Sequence, residues 1–401
     1  MTTGLRILLV HESYISAGGE DRAVDADARS LVDKGHTVSR WSISNKEILA
    51  WSPWRKAQLL WQTSWSRPSY RMLSSLLHEQ RPDIVHFHNT LPIISPSAIR
   101  AAHATGVPVV MTLHNYRLMC PPGTYFREGK VCEDCRLHSL ARGVIHGCYR
   151  GSSVQTGAVA LMLATHRRLR TWRECVDIYI ALTDFMRAKV VEGGIQGEKV
   201  HVRSNTITTP PGHDVRPEDY AVFVGRLSPE KGIATLIDAA RRMDGRRIKV
   251  IGGGPLEQEL RTAALGMGSR FEVLGQIPHA ETLEAIQRAR VLLFPSVWYE
   301  GLPTTILEAL ACGVPVVASR LGAMSEMLTD GQEGFLVTPG DSTALADRSL
   351  RILSDDDLRT RMSAAARSAF ESRYSSDRCY EKLVMIYRLA SEAARARRQV
   401  T

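Results

Sequence analysis

The stretch from 291 to 318 constrains the fold most, because strand and helix signals alternate there around a polar loop. An apolar run that ends at Pro295 predicts a buried strand, and the run over 314–318 predicts a second one. Between them, Pro303 marks the start of a short helix and Gly313 lies just past its end. A loop that feeds a helix N-terminus presents unpaired N–H groups and a partial positive charge, which suits a phosphate.

Two carboxylates bracket this loop and helix. Glu300 precedes the helix, whereas Glu308 lies on its second turn. One carboxylate is therefore expected near whatever the phosphate carries, and the other is expected further along the ligand. A sugar on one side and a ribose on the other would fit this spacing.

Strand and helix signals alternate along both halves of the chain, and 401 residues exceed what one hydrophobic core usually supports. We therefore predict an α/β fold of two doubly wound, Rossmann-like domains that face a cleft, with ligands at the carboxyl ends of the strands. The predicted boundaries are an N-terminal domain over 1–207, a linker over 208–217, a C-terminal domain over 218–385 and a C-terminal helix or tail over 386–401.

The composition is that of a soluble globular protein, with 44% hydrophobic and 23% charged residues. A formal charge of +9 and a pI of about 9.3 favour anionic partners such as nucleotides, acidic lipids or nucleic acid. No nucleic-acid reader motif is present in the sequence, so we do not expect a nucleic-acid partner.

The N-terminal sequence enters a predicted buried strand over 5–10 directly, without the basic, apolar and small-residue layout of a signal peptide. No apolar run approaches the roughly 18 residues that span a bilayer. The seven cysteines then point to reduced thiols in a reducing compartment. We expect a cytoplasmic protein, with peripheral attachment to the inner membrane face as a further option.

Two cations follow a predicted strand of the second half. Arg226 and Lys231 lie in the run Gly-Arg-Leu-Ser-Pro-Glu-Lys-Gly over 225–232. Because cations at the carboxyl end of a strand can neutralise a departing diphosphate, these side chains are candidates for a phosphate site. The alternative is a solvated loop beside Glu230.

Three segments of the second half together resemble the C-terminal domain of family-4 retaining glycosyltransferases of GT-B fold. They are the run over 225–232, the Gly-Gly-Gly-Pro run over 252–255 and the segment over 300–308. The first half is similar to the N-terminal acceptor domain of that family through Gly18-Gly19 and through the Thr-Leu-His-Asn run over 112–115. The resemblance covers most of the chain, and it implies that the second domain binds the nucleotide sugar.

The resemblance implies a role for each matched residue near the phosphates. Arg226 and Lys231 would bind the diphosphate. Glu300, with the amides of Gly301 and Leu302, would hold the donor sugar and the distal phosphate. Charge that develops on the departing diphosphate would meet cations and a helix N-terminus rather than Mg²⁺, so no catalytic metal is expected. Glu300 is then an orienting hydrogen-bond acceptor, and the acceptor substrate attacks on the departing side.

The other implied roles concern the ribose, the base and the reacting centre. Glu308 would bind the ribose hydroxyls, and Gln276 and Ile277 would touch the base through backbone groups. His114 would lie beside the donor sugar, near the reacting centre.

A glycine pair in the first half has two interpretations. Gly18 and Gly19 would form a ligand-facing loop on the donor side if the resemblance extends to them. A tight turn without a ligand explains the pair equally well, because Glu20 and Asp21 already lie at that helix start and can satisfy its dipole.

Four cysteines cluster in a predicted insertion over about 115–150. Cys132 and Cys135 form a Cys-x-x-Cys pair, and Cys120 and Cys148 flank it. Four soft thiolates in a short, polar segment suit a structural, tetrahedral zinc ion. The alternatives are four reduced thiols in a surface loop, or a redox pair at Cys132 and Cys135.

Aromatic and basic residues interleave over 51–71. The aromatic members are Trp51, Trp54, Trp61, Trp65 and Tyr70, and the basic members are Arg55, Lys56, Arg67 and Arg71. Amphipathic tryptophans beside basic residues favour the headgroup region of an anionic membrane. The alternatives are that the tryptophans pack a helix onto the core or line a groove for the acceptor.

The sequence thus predicts a retaining, metal-independent glycosyltransferase of the hexosyltransferase type. Its donor would be a nucleotide-diphosphate sugar, and its acceptor a glycan or lipid-linked intermediate of cell-surface polysaccharide biosynthesis. Two other functions fit the same architecture. One is a nucleotide-sugar epimerase, which needs no acceptor, and the other is a non-catalytic partner protein that keeps the fold for interaction.

Overall fold

The computed structural model describes residues 4–15, 18–207, 215–243 and 245–400, except for the side chain of residue 400. Most of the predicted linker, residues 208–214, lies outside the described residues. The chain divides into two compact units. The first comprises residues 1–125, 133–206 and 376–401, and the second comprises residues 126–132 and 207–375.

Strands and helices alternate up to residue 206, as the sequence pattern predicts. In chain order they are β1 (Arg6–Ser13), α1 (Gly19–Asp33), β2 (Thr37–Ser44), α2 (Pro53–Gln62), α3 (Arg67–Gln80), β3 (Ile84–Phe87), α4 (Ser97–Ala104), β4 (Val109–Leu113), β5 (Phe126–Arg127), β6 (Lys130–Val131), α5 (Asp134–Leu137), α6 (Leu140–Ile145), α7 (Ser153–Arg168), α8 (Thr171–Glu174), β7 (Ile178–Ala181), α9 (Asp184–Glu192) and β8 (Val200–Val202). The short strands β5 and β6 pair as an antiparallel hairpin.

The alternation restarts after the linker. The elements are β9 (Tyr220–Val224), α10 (Ile233–Arg242), β10 (Arg247–Ile251), α11 (Glu257–Leu265), β11 (Phe271–Gly275), α12 (His279–Arg288), β12 (Val291–Phe294), α13 (Thr304–Ala311), β13 (Val316–Ser319), α14 (Ala323–Met327), β14 (Gly334–Val337), α15 (Ser342–Ser354), α16 (Asp356–Arg373) and α17 (Ser376–Val400).

The sheet of the first unit is parallel throughout, with strand order β2-β1-β3-β4-β7-β8. Its central strands β3, β4 and β7 are buried along their whole length, as expected when helices cover both faces of a sheet. The order reverses between β1 and β3. The carboxyl ends of these two strands therefore border the crevice in which doubly wound sheets bind ligands.

The C-terminal helix α17 belongs with the first unit, although it follows the second in sequence. Its apolar face, with Leu383, Ile386, Tyr387 and Ala390, is buried in the core that β1, α1 and β7 form. The predicted boundary at residue 385 divides this helix, which instead begins at Ser376.

The sheet of the second unit is also parallel, with strand order β11-β10-β9-β12-β13-β14. Its order reverses between β9 and β12, so the loops after these strands lie at the topological switch point. The predicted fold class of two doubly wound α/β units is confirmed. Within the described ranges, no helix combines the length and apolar character that crossing a bilayer requires.

A buried ion pair ties three parts of the first unit together. Arg203 donates to both carboxylate oxygens of Asp27 at 2.6 Å, and both side chains are almost fully buried. Arg203 also donates to Thr206 Oγ1 at 2.8 Å and to the Cys379 carbonyl oxygen at 3.1 Å. Helix α1, the chain after β8 and the start of α17 are therefore fixed at one point.

Candidate functional site

Two loops of the second unit meet at its switch point, and a glycine permits their close approach. The loop after β9 carries Arg226 and Lys231, and the loop after β12 carries Glu300. Gly232 has a φ of +73°, and a Cβ there would lie 1.9 Å from the carbonyl oxygen of Pro295. Any other residue at this position would push the two loops apart.

A buried ion pair joins these loops. Glu300 is 5% exposed, and its Oε1 accepts hydrogen bonds from Lys231 Nζ and from Ser296 Oγ, each at 2.7 Å. Lys231 Nζ also lies 5.7 Å from the ring centroid of Phe294 and 5.3 Å from that of Trp298. Aromatic neighbours favour the cation and limit its contact with water, which strengthens its electrostatic interactions.

Helix α13 begins directly after this pair and has no side-chain cap at its N-terminus. Pro303 is the N-cap residue, and it offers no side-chain acceptor to the first N–H groups. Leu302 is buried and Gly301 is half-buried immediately before it. The unpaired donors and the helix dipole therefore favour an anion at the end of the Glu300 loop.

Arg226 lies in the same loop as Lys231 but is exposed. Its guanidinium makes no hydrogen bond or ion pair within the described ranges. The backbone beneath it is fixed, because Leu227 N donates to the Gly253 carbonyl oxygen at 3.0 Å. A Cβ at Gly252 would lie 1.9 Å from the Gly225 carbonyl oxygen. The glycine run over 252–255 thus packs against the loop over 225–232, the cation loop, and fixes its backbone.

Glu308 projects from α13 into a buried position and is 4% exposed. Its Oε1 lies 2.9 Å from Nε2 of His279 at the start of α12. Gln276 and Ile277 follow β11, and the Gln276 side chain lies close to Gly253. The structure therefore gathers Lys231, Glu300 and the α13 N-terminus, and it places Glu308 further along the same helix.

In the first unit, His114 contacts His88, and His86 lies beside His88 in turn. Its Nε2 lies 3.0 Å from Nδ1 of His88. His86 contacts Thr112 Oγ1 at 2.7 Å and the Tyr387 hydroxyl at 2.9 Å. Burial lowers the pKa of both His86 and His114 to about 3. These imidazoles are therefore neutral near pH 7, and they act through hydrogen bonds rather than charge.

The glycine pair at the start of α1 already has a carboxylate partner. Gly18 N donates to Asp21 Oδ2 at 2.8 Å, and Asp21 Oδ1 lies 2.8 Å from Nε2 of His11. Asp21 thus occupies the position that an anionic ligand would take at this helix N-terminus. A ligand-facing role for Gly18 and Gly19 stays a prediction.

A small cavity of about 40 Å³ lies where β3 and β4 end, lined in part by His88 and His114. Other lining residues are Glu20, Arg117 and Trp172. Buried polar atoms without a partner include Glu20 Oε1, His88 Nε2 and Arg117 Nε. Burial raises the pKa of Glu20 to about 7.

The zinc prediction for Cys120, Cys132, Cys135 and Cys148 stays a prediction. Cys132 belongs with the second unit, whereas Cys120, Cys135 and Cys148 belong with the first. No group of three or more metal-ligating side chains is gathered in the part of the chain that the structure describes. Burial raises the pKa of Cys120 to about 11.

An ion-pair network stabilises the segment around Glu133. Glu133 lies 2.9 Å from Lys189 Nζ and 2.6 Å from an Arg136 nitrogen.

Several residues around these sites were not predicted from the sequence. Ser296 and His279 hold the two glutamates, and Trp298 lies over Lys231. Nothing in their local sequence marks these contacts, since each partner lies on a different loop or helix. His88 carries a weak signal, because it is the second member of a His-x-His run at the end of a predicted strand.

Comparison with known families yields two matching models, one for each half of the chain. Residues 17–209 match the model described as Glycosyltransferase Family 4, and residues 212–369 match the one described as Glycosyl transferases group 1. The chain is 32% identical over 258 residues to a phosphatidyl-myo-inositol mannosyltransferase of Mycobacterium leprae, covering 62% of this chain and 68% of that protein.

Two further comparisons extend this result. A putative teichuronic acid biosynthesis glycosyltransferase of Bacillus subtilis is 26% identical over 294 residues, which cover 71% of this chain and 66% of that protein. The crystal structure of Anabaena HepE in complex with UDP superposes with a TM-score of 0.68 at 18% identity, covering 95% of this chain and 99% of that one. At 18% identity, the similarity to HepE shows a shared fold.

Proposed function

The chain belongs to glycosyltransferase family 4 and has the two Rossmann-like units of the GT-B fold; we propose that it is a retaining hexosyltransferase. Its donor is a nucleotide-diphosphate sugar, and its acceptor is a lipid-linked or polysaccharide intermediate of cell-surface glycan synthesis. The observation that carries the proposal is the Lys231–Glu300 ion pair beside the uncapped N-terminus of α13.

The diphosphate binds where the positive groups of the second unit converge. Lys231 and Arg226 lie in one loop at the switch point, and the α13 N-terminus lies at the end of the other. When the bond between the sugar C1 and the phosphate oxygen breaks, negative charge grows on the diphosphate. Preorganised cations and N–H groups stabilise that charge, so this chemistry uses no metal ion.

Glu300 orients the donor sugar rather than attacking it. Its carboxylate is held by Lys231 and Ser296, so its position is fixed before the donor binds. The backbone amides of Gly301 and Leu302 face the distal phosphate. The acceptor oxygen then forms its bond to C1 on the face from which the diphosphate departs, and its proton passes to the departing phosphate oxygen.

The remaining contacts fix the nucleoside and the sugar. Glu308 accepts from the ribose hydroxyls, and His279, 2.9 Å away, holds that carboxylate in place. Gln276 and Ile277 meet the base through backbone groups. We further propose that His114 contacts the donor sugar.

The acceptor class is suggested by the named relatives. One is named for phosphatidyl-myo-inositol and another for teichuronic acid biosynthesis, so a lipid acceptor and a glycan acceptor are both considered. An epimerase of the same architecture would release or isomerise the sugar without an acceptor. Dependence of turnover on an added acceptor therefore separates the two functions.

The test is a panel of nucleotide sugars, with UDP-glucose first because UDP is bound in a structural neighbour. A donor at a hundredfold its dissociation constant should raise the unfolding free energy by about 2.7 kcal/mol. NMR of the product made from that donor and an acceptor extract should then show the anomeric configuration of the donor. An inverted product, or isomerised sugar in the absence of acceptor, would overturn the proposal.

We also propose that α2 docks the protein on an anionic membrane. No side chain of this helix is buried, and Trp54 and Trp61 are 72% and 51% exposed. Lys56 and Arg55 lie on the same helix, and the Arg55 guanidinium covers the Trp51 ring at 4.0 Å. Exposed tryptophans insert into the headgroup region, while each basic residue near an anionic surface adds about 1 kcal/mol.

Vesicle co-sedimentation tests this attachment. Wild type should pellet with vesicles that contain phosphatidylserine and stay in solution with neutral vesicles, and salt should weaken the binding. The variant Trp54→Ala/Trp61→Ala should lose most of it. A Leu265→Ala control removes a side chain that is 84% exposed on the second unit, and it should bind like wild type. Equal binding of all three proteins would contradict docking through α2.

A further inference from the structure

We infer that His88 is a positioning residue that fixes the tautomer of His114, so that the Nδ1–H of His114 donates to the substrate. The inference rests on the proposed function, in which His114 lies beside the donor sugar. The geometry that carries it is one hydrogen bond between two ring nitrogens and one buried nitrogen that has no partner.

The hydrogen bond joins two neutral rings. His88 Nδ1 and His114 Nε2 are 3.0 Å apart, and the ring centroids are 5.3 Å apart at an interplanar angle of 25°. A neutral imidazole carries one proton, so one ring must donate and the other must accept. Either His114 donates from Nε2, or His88 donates from Nδ1.

The second nitrogen of His88 decides between these arrangements. His88 Nε2 is buried and has no hydrogen-bond partner. If His114 were the donor, the proton of His88 would have to lie on Nε2 as a buried N–H without a protein acceptor. If His88 donates, only a lone pair is left there. Orphaned buried N–H groups are rarer than under-satisfied acceptors, so His88 Nδ1–H donates and His114 carries its proton on Nδ1.

The fold holds His88 in place for this role. His88 follows β3 and His114 follows β4, and these neighbouring parallel strands bring the two residues to the same edge of the sheet. The His86 ring centroid lies 4.3 Å from that of His88, and His86 is held at both nitrogens by Thr112 and Tyr387. His114 itself is half-buried, and its Nδ1 makes no hydrogen bond within the described ranges. That N–H is therefore available to a sugar hydroxyl.

Nitrogen-15 NMR of the ligand-free protein tests the tautomer directly. Long-range proton–nitrogen correlations show which nitrogen of each labelled histidine ring carries the proton, and the His114→Ala variant identifies the His114 signals. We expect His114 to be protonated on Nδ1 and bare on Nε2, and His88 to be protonated on Nδ1. A proton on Nε2 of His114 would overturn the inference.

Two variants of His88 connect the tautomer to turnover. His88→Phe keeps a ring but removes both nitrogens, whereas His88→Asn keeps an N–H donor near the position of Nδ1. With the donor that the nucleotide-sugar panel identifies, kcat of His88→Phe should fall about tenfold with little change in KM, and both tautomers of His114 should appear. His88→Asn should restore Nδ1 protonation and most of the turnover.

The outcomes separate this inference from the proposed function. Wild-type turnover and an unchanged tautomer in His88→Phe would overturn the role of His88. If that variant does not fold, the spectra of wild type and His88→Asn decide the question. Full turnover of His114→Ala, with the expected tautomer in wild type, would remove His114 from the reaction while leaving the hydrogen-bond assignment intact.

Discussion

Breaking the Lys231–Glu300 pair from either side should have unequal effects on stability. At 2.7 Å and an effective dielectric constant of about 20, the attraction is about 6 kcal/mol before desolvation is subtracted. The Lys231 side chain is 20% exposed and that of Glu300 only 6%. Lys231→Met therefore leaves the Glu300 carboxylate buried without its cation and away from water. Glu300→Gln leaves the Lys231 ammonium group, which water can reach.

We expect Lys231→Met to cost about 3 kcal/mol of unfolding free energy and Glu300→Gln about 1 kcal/mol, because the glutamine still accepts from Ser296. The double variant should cost about 2 kcal/mol less than the sum of the two, since it leaves no unpaired charge. Scanning calorimetry of the full chain, followed at the transition of the second unit, measures all four proteins. Equal single costs, or a double variant whose cost is additive, would refute this reasoning.

Three further perturbations have defined outcomes. Gly252→Ala places a Cβ 1.9 Å from the Gly225 carbonyl oxygen, so it should lower the melting temperature and weaken nucleotide binding; unchanged binding would show that the glycine run does not support the cation loop. Asp27→Asn leaves Arg203 buried without a counter-charge and should cost about 3–5 kcal/mol in urea unfolding, and a cost below about 1 kcal/mol would contradict the buried pair. Stability of the first unit should peak near pH 6.5. Burial lowers the pKa of His86 and His114 to about 3 and that of His88 well below its usual value, and it raises the pKa of Glu12 to about 8 and that of Glu20 to about 7. Between about pH 4.5 and 6.5 the unfolded chain takes up three histidine protons and lacks two carboxyl protons that the folded chain keeps, so stability rises with pH by about 1.4 kcal/mol per unit. Above about pH 6.5 only the carboxyl difference remains, and stability falls. Urea midpoints that do not change between pH 5 and 8 would contradict both assignments.

The sequence predicts local units well where a pattern repeats. The apolar run before Pro295 forms β12, and the helix expected from Pro303 is α13, which begins at Thr304. Strand periodicity and helix boundary residues are local signals, so they predict these elements without knowledge of the tertiary structure. The cation loop and the two glutamates belong to such units, and their contacts in the second unit follow from the order of the strands.

Contacts between distant segments could not be predicted. The pair of His88 and His114 spans 26 residues, and it depends on β3 and β4 being neighbours. The assignment of α17 to the first unit depends on a core that no local pattern reveals. The Cys-x-x-Cys spacing at Cys132 and Cys135 is likewise a local signal, whereas the approach of Cys120 and Cys148 that a zinc site needs depends on tertiary structure. Among the described residues, no such group of metal-ligating side chains is gathered.

The most direct test of the account is calorimetric titration of UDP, or of whichever nucleoside diphosphate the panel selects, in the presence of EDTA. Binding by cations and a helix N-terminus predicts that wild type binds equally well with EDTA and with Mg²⁺. Lys231→Ala should bind at least tenfold more weakly in both conditions. Binding that requires Mg²⁺, or that is unchanged in Lys231→Ala, would contradict the proposal that Lys231 and its loop recognise the diphosphate.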